Sequence, residues 1–256
     1  MREVCFRKED VYRGDLILVN EDFALKRQNA VQRLVPADSR YPEVLLGNRA
    51  ASMLACLIRE ICGEAEIIPV SGYRSFEEQT KIYEDALLEH GESFTRKYVA
   101  LPDHSEHQTG LAIDVGQAVT ELDFICPEFP YEGICQRFRE KAPRYGFVER
   151  YGKEKENVTK IGWEPWHFRY VGVPHARFMK EHAICLEEYI ELIRQYPYPE
   201  KALEIKGEEW TASVSYLRQS TEEMFVALPE DILYQVSGNN VDGFILTVWS
   251  ENTNGE

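Results

Sequence analysis

The segment His104-Ser105-Glu106-His107-Gln108-Thr109-Gly110-Leu111-Ala112-Ile113-Asp114-Val115 constrains the fold more than any other part of the chain. Alternation from Leu111 to Val115 predicts a strand, whose period of two sends Leu111, Ile113 and Val115 to one face and Ala112 and Asp114 to the other. The first face is apolar and needs a core. The second carries a carboxylate beside a small side chain, so the sheet must offer a face with room for a polar site. Gly110 allows the tight bend that folds His107 back over the same spot. One imidazole and one carboxylate then converge.

Glu164-Pro165-Trp166-His167 offers a further ligand, because Pro165 forbids a helix interior and the alternation after it argues extended chain. Two histidines and a carboxylate form a zinc-compatible set that leaves a coordination position for water. Glu164 is then free to serve as general base and afterwards as general acid. Each residue also has a plainer reading. His107 could cap the turn at Gly110, Asp114 could pair with an arginine, and His167 could be a hydrogen-bonded core residue. A non-haem iron oxygenase also uses two histidines and a carboxylate, but its ligand pair is usually His-x-Asp, whereas here Asp114 follows His107 by seven positions.

The remaining patterns predict an α+β fold: a small antiparallel sheet flanked by helices and carrying a zinc site, with a mostly-β C-terminal appendage. Leu16–Val19 reads as a short strand. Residues 44–62 read as a helix with a left-handed stop at Gly63, in which Cys56 and Cys62 serve as small core hydrophobes. Residues 66–70 read as a strand that Pro69 confines to an edge or bulge. Ser75 and Glu78 form a capping box opening a helix to about His90, with a stop at Gly91. Arg74 and Gln79 sit at the mouth of that helix, whose partial positive charge favours an anion. Residues 117–133 read as a loop, 133–142 as a helix, and 166–171 as a strand whose Trp166, Phe168 and Tyr170 pack on one face. A single long helix from Pro174 carries Met179, His182, Ala183, Leu186, Ile190 and Ile193 on one side, which makes His182 a core histidine; His175 falls in its first turn. His104 reads as a surface or supporting group. Pro197 and Pro199 mark a boundary, beyond which strands are expected at 210–217, 233–236 and 244–249. The expected division is residues 1–199 and 200–256.

Charge narrows the partners. With 44 acidic side chains against 29 Lys and Arg, the net charge is −15, which argues against nucleic acid and anionic membranes. Residues 1–10 are charged throughout and no apolar run is long enough to span a bilayer, so neither a secretory signal nor a membrane anchor is expected, and the default location is cytoplasmic. The six cysteines form no CxxC pair and read as free thiols.

Ser105-x-His107-x-x-Gly110-x-Ala112-x-Asp114, followed by Glu164-x-Trp166-His167, resembles the two signature motifs of the VanX/VanY/VanXY zinc D,D-peptidases. Ser71-Gly72-Tyr73-Arg74-Ser75 with Gln79 is similar to the same group's arginine motif. The resemblance spans about residues 66–195. The run Glu164-Pro165-Trp166-His167-Phe168-Arg169-Tyr170-Val171-Gly172 is more similar to VanXY and VanY than to VanX, and with no membrane anchor expected the VanXY type is nearest. It implies one Zn2+ per chain, bound by His107, Asp114 and His167, with Glu164 as catalytic acid/base. It further implies that Arg74 polarises the scissile carbonyl, while Ser105 and Gln79 contact the substrate's terminal carboxylate. The implied substrates are the D-Ala-D-Ala dipeptide and the UDP-MurNAc-pentapeptide, as in glycopeptide resistance. Position alone, just after Asp114, makes the loop 117–133 a candidate gate on substrate size. A D,D-carboxypeptidase or D,D-dipeptidase alone, a phage-type L,D-endolysin and an inactive binding module remain alternatives, and monomer or homodimer stays open.

Overall fold

Four antiparallel strands form the sheet at the centre of the motif-bearing region, in the spatial order Ile67–Ser71, Ala112–Gln117, Glu164–Tyr170 and Phe147–Tyr151. The computed structural model describes residues 1–26, 33–119, 123 and 126–251. Ile67–Ser71 lies at a sheet edge and shifts register between Pro69 and Ser71, the two outlets for a residue that cannot donate to the ladder. Behind the sheet, Phe168 is fully buried and meets Phe129 and Phe138 edge-on at ring distances of 5.7 and 4.9 Å, an arrangement favoured by the ring quadrupoles.

Two compact units are present: one joins residues 1–18 to the chain from Leu186 onward, and the other runs from Val19 to Cys185. The division drawn from sequence at residue 199 therefore falls inside the first unit. Its strand Arg2–Arg7 pairs antiparallel with Glu223–Leu228. Its second sheet orders Leu233–Gly238, Gly243–Glu251, Trp210–Arg218 and Leu203–Lys206. Phe6, Val11, Leu217, Leu228, Phe244 and Leu246 form its core. Pairing between the first and last parts of the chain leaves no local trace in composition.

Several local expectations give way to tertiary contacts. Leu16–Val19 is buried but forms no strand: the Leu16 amide donates to Ser237 Oγ and the Leu18 amide to the Asn239 carbonyl. The expected helix over 44–62 begins only at Asn48, after a strand Tyr41–Gly47 that pairs with Leu34–Asp38. Its left-handed stop is Cys62 at φ 55°, and the Gly63 amide bonds back to the Ile58 carbonyl. The buried stripe is Ala50, Ala51, Leu54, Leu57 and Ile58, so Cys56 and Cys62 are exposed rather than core.

The Ser75 cap forms as expected, with Ser75 Oγ accepting from the Glu78 amide at 3.1 Å. The helix Phe76–Tyr98 breaks at Gly91 (φ 78°, ψ 170°) and then resumes instead of ending. The single long helix after Pro174 is two helices, Val173–His182 and Leu186–Ile193, because Ala183 turns left-handed at φ 51°. His182 is consequently exposed and stacks on Phe178, not in the core. Within the loop 117–133, residues 120–122, 124 and 125 lie outside the described residues. No described helix is long and apolar enough to cross a membrane.

His175 is 3% exposed, and burial pushes its pKa down to about 3. Because the unfolded chain binds a proton near pH 6.5 and the folded chain does not, stability is greatest above that pH and is lost as pH falls toward 3. The slope attributable to this group is at most about 1.4 kcal/mol per pH unit. Urea unfolding of wild type and His175→Gln between pH 7 and 4 should show the wild type losing stability faster.

Candidate metal centre

All seven residues singled out by motif line one cavity of about 430 Å3: Arg74, Gln79, Ser105, His107, Asp114, Glu164 and His167. Strand register explains much of this convergence. Ser71, Asp114 and His167 lie opposite one another across three neighbouring strands, so their side chains share a sheet face. Glu164 and His167 are three apart and would face opposite sides of a regular strand. The ladder to Phe147–Tyr151 shifts register between Glu149 and Tyr151, opposite this stretch, and both side chains reach the cavity.

Donor atoms of His107, Asp114 and His167 lie within 4.8 Å of one another, and all three residues are buried. His107 Nδ1 is 2.7 Å from the Gly72 carbonyl. A carbonyl only accepts, so the ring proton sits on Nδ1 and Nε2 turns its lone pair toward Asp114 Oδ2, 3.1 Å away. His167 Nδ1 approaches Asp114 Oδ1 to 3.0 Å and Glu164 Oε2 to 3.7 Å. That 3.0 Å approach lacks hydrogen-bond geometry, leaving Asp114 Oδ1 buried without a hydrogen-bond partner among the described residues. Converging lone pairs of two imidazoles and one carboxylate fit a divalent metal, and this donor set is one that zinc favours.

Electrostatics separates the groups. Burial, reinforced by the charge of Arg74, pushes His107 down to about 4. Burial opposes ionisation of Asp114, yet His107 and His167 hold it below the usual carboxylate range. His167 resists burial because Asp114 and Glu106 draw its pKa up to about 9. Glu164 goes the other way: burial first, then the charge of Asp114, push it up to about 8 despite His167 and Arg74. Two carboxylates in one cavity with opposite shifts are suited to different tasks, the one as a fixed negative charge and the other as a group able to carry a proton.

Arg74 donates from Nη2 to Asp114 Oδ2 at 3.0 Å and from Nε to Ser71 Oγ at 3.0 Å. Asp114 thus pairs with an arginine, as in the plainer reading, and faces two histidines at once. Gln79 accepts from Arg74 Nη1 at 3.4 Å and donates to the Ala100 carbonyl at 2.8 Å, so its contacts steady Arg74. Ser105 is 3% exposed in the cavity wall. Trp166, expected to pack, is half-buried and lines the cavity, whereas Phe168 does pack.

Sequence reasoning missed Glu106. Its side chain is fully buried, and its Oε1 accepts from Arg150 Nε and Arg169 Nη1, each at 2.8 Å. Burial favours its neutral form, but the two arginines hold it below the usual carboxylate range. Only adjacency to His107 and the position of Arg169 two residues after His167 hinted at this cluster.

Gly72 sets the first histidine. A Cβ at that position would clash with the Leu45 carbonyl oxygen, so Gly72→Ala must displace the backbone oxygen that orients His107. Metal affinity by chelator competition should fall about tenfold or more, and an unchanged affinity would contradict this anchoring.

The comparisons with known proteins agree with this geometry. Residues 44–173, just over half of the chain, match the family model described as VanY: D-alanyl-D-alanine carboxypeptidase. The bifunctional D-Ala-D-Ala dipeptidase and D-Ala-D-Ala carboxypeptidase VanXYC of Enterococcus gallinarum is 40% identical over 181 residues, covering 70% of this chain and 95% of its own length. A D-alanyl-D-alanine carboxypeptidase of Enterococcus faecium is 32% identical over 268 residues, covering 98% of this chain and 80% of its own. The crystal structure of the vancomycin resistance D,D-dipeptidase VanXYg, in complex with a D-Ala-D-Ala phosphinate analog, superposes with a TM-score of 0.94 at 46% identity, covering 97% of this chain and 99% of the other. A motif set read from single residues, a cavity that gathers it and relatives along nearly the whole chain lead to one conclusion: this chain belongs to the VanX/VanY/VanXY family of D,D-peptidases.

Proposed function

We propose that this chain is a zinc-dependent D,D-peptidase that hydrolyses D-Ala-D-Ala and also removes the terminal D-Ala from the UDP-MurNAc-pentapeptide, as in vancomycin resistance. The observation that carries this reading is the buried convergence of His107, Asp114 and His167 beside Glu164. In this reading one Zn2+ per chain is held by those three residues, and both substrates are met in the cytoplasm. Zinc, when bound, supplies a Lewis acid that polarises a carbonyl and acidifies water.

The chain's own residues supply the rest. Glu164 takes the proton from the attacking water and returns it to the departing D-alanine amine. Arg74, steadied by Ser71 and Gln79, directs its guanidinium at the oxygen where negative charge develops. Ser105 and Gln79, the latter in the first turn of the helix starting at Phe76, face the substrate's terminal carboxylate, an anion suited to a helix N-terminus. With a net charge of −15, the overall field repels anionic substrates, so capture rests on these local positive groups.

Purified protein should contain zinc and release D-alanine from both the dipeptide and the pentapeptide precursor. Release from one alone would reduce the reading to a dipeptidase or a carboxypeptidase. Iron with oxygen consumption, and no D-alanine release, would overturn it.

A further inference from the structure

Glu106 immediately precedes His107 in the chain, but its free oxygen faces His167: Oε2 lies 3.5 Å from Nε2, the ring nitrogen turned away from Asp114. Neither of those two buried atoms has any hydrogen-bond partner among the described residues, so each is open to the other. We propose that Glu106 is a positioning residue that keeps the ring proton of His167 on Nε2, so that Nδ1 presents its lone pair to the metal. This rests on the zinc reading above.

A neutral imidazole carries one proton and must place it on one of its two nitrogens. On the Nδ1 side stand two carboxylate oxygens, Asp114 Oδ1 at 3.0 Å and Glu164 Oε2 at 3.7 Å, and both draw the proton onto the atom that should ligate. Glu106 is the counterweight on the other side. Arg150 and Arg169, at most 1% exposed in their side chains, both bind its Oε1, which leaves Oε2 to the histidine and keeps the carboxylate an acceptor. His107 reaches the equivalent state through a backbone carbonyl, which has no charge to lose. The two ligands are therefore oriented by different means, and only His167 depends on a side chain for it.

The test compares zinc affinity, by chelator competition, in wild type, Glu106→Gln and Glu106→Gln/Arg169→Met, with the thermal transition of each zinc-free protein. Glu106→Gln is expected to bind zinc about 10–100-fold more weakly. The double variant removes a cation left without its charge partner, and should regain transition temperature without regaining zinc affinity. Wild-type affinity in Glu106→Gln, or affinity that returns together with stability, overturns the proposal. Nitrogen-15 imidazole spectra of the zinc-loaded wild type decide the matter even if both variants fail to fold: a His167 proton on Nε2 supports the assignment, and zinc on Nε2 overturns it. A wild type that takes up no zinc at all overturns the metal reading itself, an outcome distinct from equal binding by wild type and variant.

Discussion

Replacing Glu164 by glutamine is expected to lower kcat on D-Ala-D-Ala by about 10²–10⁴-fold, the usual worth of a positioned general base, while bound zinc stays at the wild-type level. Glutamine keeps the size and polarity of the side chain and removes only its capacity to carry a proton. Glu164 is suited to that task because burial pushes its pKa up to about 8 in the metal-free cavity, and a divalent cation nearby would favour the ionised form and draw that pKa back down. Its oxygen stands 3.7 Å from His167 Nδ1, farther than the 3.0 Å approach of Asp114, which places it beside the ligand set. Metal analysis and steady-state kinetics on one preparation would decide this. Loss of zinc in parallel with activity would make Glu164 a ligand, and undiminished turnover would remove it from the chemistry.

Asp114→Asn should produce the reverse dissociation: zinc is lost first, and activity with it. Groups that merely orient ligands are worth about 10–100-fold in metal affinity, so a direct ligand is expected to exceed about 100-fold. The substitution keeps the shape of the side chain but removes the charge shared by Arg74, His107 and His167. Thermal unfolding supplies a second readout, because a ligand that binds only the folded state stabilises it by about 4 kcal/mol at a thousand times its dissociation constant. Excess zinc should raise the transition temperature of the wild type and of Glu164→Gln, and leave that of Asp114→Asn nearly unmoved. An equal rise in all three proteins would show that Asp114 does not hold the metal.

Local rules read well wherever the cause was local. The Ser75 capping box, the edge position forced by Pro69 and the alternation around Asp114 were legible because a few neighbouring residues decide each of them. They failed where burial came from elsewhere. Leu16 and Leu18 are held by the distant residues Ser237, Asn239 and Asn240 rather than by pairing in a sheet. The helical stripe through Ala183 was continuous in periodicity, yet one left-handed residue divides it.

Sequence by itself determined the chemistry at hand: two histidines, two carboxylates and an arginine at a helix mouth, each in a local setting that turns it toward one face. Tertiary structure alone decided how they meet. The antiparallel register sets Asp114 directly opposite His167, across 53 positions of chain, and the close approach of Gly72 to the Leu45 backbone holds the carbonyl that meets His107. It also placed Glu106 between Arg150 and Arg169, whose partnership no spacing reveals, since ion pairs between distant strands depend on register and burial rather than on sequence order. The physical reason is the range of the forces. Alternation, capping and turn preferences act within a few residues, whereas a metal site requires lone pairs from three separate segments to converge within a few ångströms, and only the packed sheet imposes that.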